Sequence, residues 1–217
     1  TLSARRTLLW DLDPQSAASF LIGHEGKTKG AAQAVFAKDV APEKLITTTM
    51  IDRLDLLAAD TSLRGLDQLF FAMGKRRRLQ KLIEGLGKSY DRIILDCPPG
   101  LTETSEQVMR AADLILVPVI PSPLSRRAFD EVVSHLDREH RGHGPILPVF
   151  SMVDKRRTMH RLALEADADW PGIPMASAVE QMALHRAPVG AFAARSPAGQ
   201  AFAGLWRGVE KKLSKRG

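Results

Sequence analysis

Residues 90–100 read YDRIILDCPPG, a short apolar run that ends in an aspartate, Asp96, and two prolines. An apolar, β-branched run of this length between turn residues is typical of a buried parallel strand. Because Pro98 and Pro99 cannot donate to a sheet ladder, the strand should end at Asp96. Ligands bind at the carboxyl ends of strands in open α/β sheets. Asp96 is therefore a candidate for cation binding, and capping of the next helix is the alternative.

A second stretch, residues 6–15, has the same design. It reads RTLLWDLDPQ, an apolar run followed by Asp11, Asp13 and a proline. Right-handed crossovers bring the ends of such strands to one side of a sheet. We therefore expect the two strands to be neighbours in one parallel sheet, with Asp13 and Asp96 at the same edge. Carboxylates gathered there would repel one another unless a cation were bound.

The rest of the chain alternates between helical and strand patterns. This alternation predicts an α/β fold, a mainly parallel sheet with helices on both faces. Because no linker-like composition divides the chain, we expect one domain over residues 1–217. The segment between the helix predicted at residues 30–36 and the strand predicted at residues 53–59 is interpreted as a loop. The predicted helices cover residues 30–36, 62–87 with a break at Gly74, 102–112, 125–140 and 198–215, and the other strands cover residues 53–59, 114–120 and 146–153.

Composition limits the class of protein. Hydrophobic residues make up 44% of the 217, and no apolar run is long enough for a membrane span. The single cysteine, Cys97, excludes a disulfide framework and favours a reducing cytoplasm. The formal charge of +6 is compatible with an anionic partner, although a solvated surface is the more common explanation of an excess of this size.

Taken together, the two aspartate-ended stretches resemble the ParA/MinD family of deviant P-loop ATPases. The family pattern Asp-x-Asp-Pro-Gln matches residues 11–15, and the Walker B pattern Tyr-Asp-x-x-x-x-Asp-x-Pro-Pro matches residues 90–99. The resemblance implies a P-loop NTPase fold with ATP and Mg²⁺ as cofactors. It further implies that Asp13 orients the attacking water, and that Asp11 and Asp96 hold the water shell of the metal.

Two positions nearer the C-terminus follow from the same resemblance. In the family, the loop after the strand at residues 146–153 and the segment after an Ile-Pro pair flank the adenine base. Because Asp154 and Pro174 lie in these two segments, the resemblance implies that they are candidate nucleotide-binding residues. The alternative reading is a loop aspartate that caps the next helix and an ordinary turn proline.

The family also places a strand and a glycine-rich Walker A loop before the position that Thr1 occupies. The resemblance therefore implies a domain that lacks its first strand and P-loop, and an ATPase that needs that segment to be active. Residues 23–28, GHEGKT, end like a P-loop, but Leu21 stands where the first glycine should be. We interpret them as a polar loop. The rival hypothesis is a nucleotide-free scaffold or binding module.

Partners also follow from the resemblance. Family members form ATP-dependent homodimers, bind DNA without sequence specificity and respond to a ParB-like activator while they segregate plasmids, chromosomes or protein cargo, in the cytoplasm or on the nucleoid. Residues 175–178, MASA, stand where ParA proteins often carry arginines. The last helix could pack on the body or lie on a membrane surface, and its apolar face favours packing without membrane insertion. Because residues 175–178 contain no arginine, any contact with DNA would have to come from other basic side chains: Lys155, Arg156, Arg157, Arg161, Arg186, Arg195 and the lysines of the tail.

Overall fold

The computed structural model describes residues 4–24, 31–74, 77–140 and 142–214. The chain forms two compact units, Thr1–Ala111 and Ala112–Gly217, which are described in turn. The α/β class predicted from the sequence is confirmed, because strands and helices alternate through both units. The assignment of all 217 residues to one domain stays a prediction.

The first unit is built on a four-stranded sheet with the strand order β2-β3-β1-β4. Strands β1, β3 and β4 are parallel. Gly74 ends α3 in the left-handed conformation, at φ 57°, where the sequence predicted a break. The strands are β1 (Thr7–Asp11), β2 (Ile46–Thr48), β3 (Leu54–Leu57) and β4 (Arg92–Asp96), and the helices are α1 (Ala17–Leu21), α2 (Ala31–Ala37), α3 (Leu66–Met73), α4 (Arg78–Leu86) and α5 (Glu103–Ala111), with 3₁₀ turns at Pro42–Lys44 and Thr61–Gly65.

The sequence predicted a loop before β3, and the structure shows a short strand, β2, in that segment instead. It pairs antiparallel with β3 at the end of the sheet, so that Ile46 lies opposite Leu57. The strand has only three residues, and both of its threonines are exposed. Three residues are too few to show the alternation of apolar and polar side chains by which a strand is recognised in a sequence. The strand is defined only by its pairing with β3 in the folded chain.

The core of the first unit joins β1 to the helices. Leu8 and Trp10 of β1 are buried, and the Trp10 indole stacks on Phe36 of α2 with ring centroids 5.6 Å apart. Phe36 in turn meets the edge of Phe70 of α3 at 5.2 Å. These aromatic contacts fix α2 and α3 on the strand that leads into Asp11.

The second unit contains a three-stranded parallel sheet with the order β5-β6-β7. Ser122 and Ser196 cap the two long helices, since each side chain accepts a backbone N–H of the first turn. The strands are β5 (Ile115–Val119), β6 (Ile146–Val153) and β7 (Gly172–Pro174), and the helices are α6 (Pro123–Glu139), α7 (Thr158–Ala166), α8 (Ser177–Glu180), α9 (Met182–His185), α10 (Val189–Phe192) and α11 (Pro197–Leu213).

Helix α11 packs on the sheet of its own unit, as predicted. Val209 is buried, and the apolar face of the helix contacts Leu147 and Val149 of β6 and Ile173 of β7. That face is formed by Phe202, Leu205, Trp206, Val209 and Leu213. Among the helices that the structure describes, none combines the length and apolar character that a membrane crossing requires.

Candidate functional site

The two aspartate-ended strands are neighbours, as the sequence predicted. β1 and β4 pair in parallel, and Asp11 lies directly opposite Asp96 in the register. The pairing continues one residue further, where the amide of Leu12 donates to the carbonyl of Asp96 at 2.7 Å. The carboxyl ends of both strands therefore form one acidic edge of the first sheet, which we call the aspartate edge: Asp11, Asp13 and Asp96.

Electrostatics at the aspartate edge favour a cation. Burial raises the pKa of Asp96 to about 6, and the negative charges of Asp11 and Asp13 add to the rise. The side chain thus loses water and faces two further carboxyl groups. A divalent cation with its water shell would relieve this repulsion, and carboxylate oxygen is the ligand that Mg²⁺ prefers. The residues present at the edge fit magnesium.

Asp11 itself is engaged by the protein. It is completely buried, and its Oδ2 accepts from the amide of Ser19 at 2.9 Å and from the Ser19 hydroxyl at 2.6 Å. Its Oδ1 accepts from the amide of Asp13 at 3.1 Å. The Ser19 hydroxyl also accepts from the amide of Ala59, just after β3, at 3.3 Å. Asp11 therefore holds β1, α1 and the end of β3 together, and its role toward magnesium stays a prediction.

Asp13 sits in a tight turn that fixes its carboxylate. Its Oδ1 accepts from the amide of Gln15 at 2.9 Å, and its carbonyl accepts from the amide of Ser16 at 2.8 Å. Ser16 has a positive φ of 56°, a strained conformation for a residue with a side chain. Among the described residues, no donor bonds to Oδ2 of Asp13. That oxygen remains able to accept a hydrogen bond from a water molecule.

The other two predicted residues line one cavity of the second unit. The cavity has a volume of about 830 Å³, and both Asp154 and Pro174 border it. Asp154 follows β6 and Pro174 ends β7, so the parallel pairing of these strands brings the two residues to the same place. The volume lies within the range of small-molecule sites. We call this cavity the β6–β7 pocket.

Asp154 is held from two sides. Its carboxylate accepts from the guanidinium of Arg156, with Oδ1 2.9 Å from Nε and Oδ2 3.0 Å from Nη2. These hydrogen bonds lower the pKa of Asp154 to about 2. Its amide donates to Nδ1 of the buried His160 at 3.0 Å. Asp154 is therefore a fixed, ionised acceptor at the wall of the pocket.

Sequence reasoning missed two residues that shape these sites, Ser19 and His160, and it considered Arg156 only as a DNA contact, whereas its guanidinium is paired with Asp154. Ser19 lies eight residues after Asp11, and one turn of helix brings it back to that carboxylate. No spacing rule signals such a contact. The predicted polar loop at residues 23–28 lies outside the described residues from residue 25 onward.

Comparison with known proteins supports the resemblance. The model of the AAA domain family AAA_31 matches residues 2–143. The Bacillus subtilis protein Soj, a sporulation initiation inhibitor, is 30% identical over 117 residues, which are 53% of this chain and 46% of Soj. The chromosome partitioning protein ParA of Myxococcus xanthus is 27% identical over 74% of this chain and 59% of its own length. The chain thus spans about half the length of these relatives.

Solved structures share the fold. The ATP complex of a McdA variant from Cyanothece superposes with a TM-score of 0.83 and covers 98% of this chain and 86% of McdA, at 20% identity. The family match covers the aspartate edge and both motifs that form it. The chain belongs to the AAA domain family, within its ParA/MinD group of P-loop ATPases.

Proposed function

We propose that the protein is a ParA-like ATPase that uses ATP hydrolysis to segregate or position plasmid, chromosome or protein cargo. The observation that carries the proposal is the register of Asp11 against Asp96, which gathers three carboxyl groups at one strand edge. The partitioning role of the Myxococcus relative and the ATP bound to McdA support it.

The carboxylates of the aspartate edge have two roles in the proposal, metal binding and the positioning of water. Asp96 and Asp11 would hold the water shell of Mg²⁺, and the bound ion would neutralise charge on the transferring phosphoryl group. Asp13 orients the attacking water, because its Oδ2 can accept a proton or hydrogen bond while Oδ1 is fixed by the Gln15 amide. Positioning of this kind is the main contribution of protein groups to phosphoryl transfer.

The β6–β7 pocket binds the adenine base in this proposal. Pro174 supplies an apolar wall, and the ionised Asp154 supplies a hydrogen-bond acceptor for an amino group. Base pockets of this kind combine apolar surface with few polar groups that set orientation. The nucleotide would promote a homodimer, and a ParB-like partner would stimulate hydrolysis.

DNA binding forms a further part of the proposal. Exposed basic side chains follow β6, and two of them, Lys155 and Arg157, make no ion pair with the described residues. By contrast, Arg156 is paired with Asp154, and Arg161 donates to the carbonyls of Lys155 and Arg156. Lys155 and Arg157 are thus the side chains best placed to contact a phosphate backbone.

The test is phosphate release from Mg²⁺-ATP by the full-length protein. Asp13→Ala should reduce hydrolysis by about 10²-fold or more and leave ATP binding intact, because the side chain places water and does not hold the nucleotide. Asp96→Ala should weaken Mg²⁺-dependent binding itself. Asp52→Asn, which changes an exposed aspartate with 85% side-chain exposure, is the matched control. A protein that binds no ATP would support the scaffold hypothesis instead.

A further inference from the structure

The hydrogen bonds of Asp154 are distributed unevenly over its two oxygens. Oδ1 accepts two hydrogen bonds, from the backbone amide of Arg156 at 3.0 Å and from Nε of the same residue at 2.9 Å. Oδ2 accepts one, from Nη2 at 3.0 Å. Since each carboxylate oxygen offers about two acceptor positions, Oδ1 is filled and Oδ2 retains one free position. The pocket thus presents a single acceptor on Asp154.

The orientation of this acceptor is fixed. The two-pronged contact with the guanidinium holds the carboxylate plane, and the bond from the Asp154 amide to the buried His160 holds the backbone. A low pKa keeps the group ionised at neutral pH, so it can accept and cannot donate. On Asp154, a ligand therefore meets one acceptor in one direction.

Purine bases differ in what they offer to such a group. Adenine presents a single amino group as donor on its pairing edge. Guanine presents two adjacent donors there, a ring N–H and an amino group, and a carboxylate satisfies them with both oxygens at once. With Oδ1 filled, one of the two guanine donors would find no partner on Asp154, which lowers the affinity for guanine.

We propose that Arg156 is a specificity-determining residue that makes the β6–β7 pocket prefer adenine to guanine nucleotides by occupying Oδ1 of Asp154. This inference rests on the proposed function, in which the pocket receives the base. Removing the side chain leaves only the backbone bond on Oδ1 and frees one position on each oxygen. Both oxygens can then accept the paired donors of guanine.

The size of the effect follows from the exposure of the ion pair. The Arg156 side chain is 89% exposed, so solvent weakens its hold on Asp154. An exposed ion pair of this kind can change the preference for ATP over GTP by only about fivefold. We expect Arg156→Ala to lower the ratio of ATP to GTP affinity by about fivefold, mainly through tighter GTP binding.

The experiment measures competition between ATP and GTP on the full-length protein, by displacement of a fluorescent ATP analogue. Arg127→Ala removes an equal charge from an exposed ion pair on α6 and should leave the ratio unchanged. Glu180→Gln tests the other carboxylate that lines the pocket. Circular dichroism checks that each variant is folded.

The results of this competition experiment distinguish the role of Arg156 from the proposed function on which it rests. An unchanged ratio in Arg156→Ala, with ATP still bound, overturns the role of Arg156 and leaves the proposed function intact. A shift in Glu180→Gln or Arg127→Ala equal to that in Arg156→Ala also overturns it. Failure of the unmodified protein to bind either nucleotide overturns the proposed function and this inference together.

Discussion

The hydroxyl of Ser19 donates to Oδ2 of Asp11 at 2.6 Å, and Asp11 has no exposed surface. A buried carboxylate is tolerated only when protein donors replace the lost water. Ser19 supplies two of these donors, its hydroxyl and its amide, so the aspartate edge depends on a helix residue that no motif identifies.

Ser19→Ala should therefore destabilise the protein. The change removes one donor from a fully buried carboxylate and also removes the acceptor of the Ala59 amide. We expect a loss of about 1–3 kcal/mol in the free energy of unfolding, measured by urea denaturation. Ser19→Thr keeps the hydroxyl and should lose less. Equal stability of the alanine variant and the unmodified protein would contradict the structural role of this bond.

Asp96→Asn should stabilise the metal-free protein at neutral pH. Because the pKa of Asp96 is raised to about 6, the folded state binds more protons than the unfolded state at pH 4 to 6, and its stability falls as the pH rises through that range. Asparagine carries no charge, so the variant escapes this loss. We expect a gain of about 1–2 kcal/mol at pH 7.5, allowing for solvent screening at a partly exposed group.

The measurement is urea denaturation in EDTA at pH 7.5 and at pH 4. The gain should vanish at pH 4, where Asp96 is protonated, and Asp52→Asn serves as the exposed control. A gain that is the same at both pH values would show that charge repulsion at the edge is not its cause.

His160→Ala should loosen the loop that carries Asp154. The imidazole is the acceptor for the Asp154 amide, and its removal leaves that N–H without a partner. Hydrogen exchange of the Asp154 amide should become at least about tenfold faster, the factor that corresponds to about 1.4 kcal/mol. His160→Asn offers an amide oxygen near the position of Nδ1 and should retain most of the protection. Unchanged exchange in the alanine variant would refute the anchoring role.

Among the strands that the structure describes in the first unit, β4 is the last one of its sheet, and it exposes an apolar side chain. Ile94 is 41% exposed, and β4 is the last strand in the order β2-β3-β1-β4. Open strand edges with apolar side chains promote association between chains. We expect a polypeptide of residues 1–217 to self-associate in light scattering, and Ile94→Lys to reduce the association. Phe71→Lys, on the exposed face of α3, is the control. A monodisperse monomer would contradict this expectation.

The sequence was most informative where apolar runs meet prolines. Those patterns predicted β1 and β4, and the topology of parallel sheets then predicted that Asp13 and Asp96 share an edge. The bonds of Ser19 and His160 could not be predicted, because each forms between a helix and a strand end that only the folded chain brings together. Arg156 stands two residues from Asp154 in the sequence, yet its two-pronged contact depends on the turn after β6.

The stacking of Trp10 on Phe36 gives the aspartate edge an optical reporter. Trp10 immediately precedes Asp11 and is the single tryptophan of the first unit, whereas Trp170 and Trp206 belong to the second. A variant in which Trp170 and Trp206 are replaced by phenylalanine would emit from β1 alone. Its fluorescence would follow the unfolding of the first unit separately, and a titration with magnesium or nucleotide would record changes at the strand that ends in Asp11.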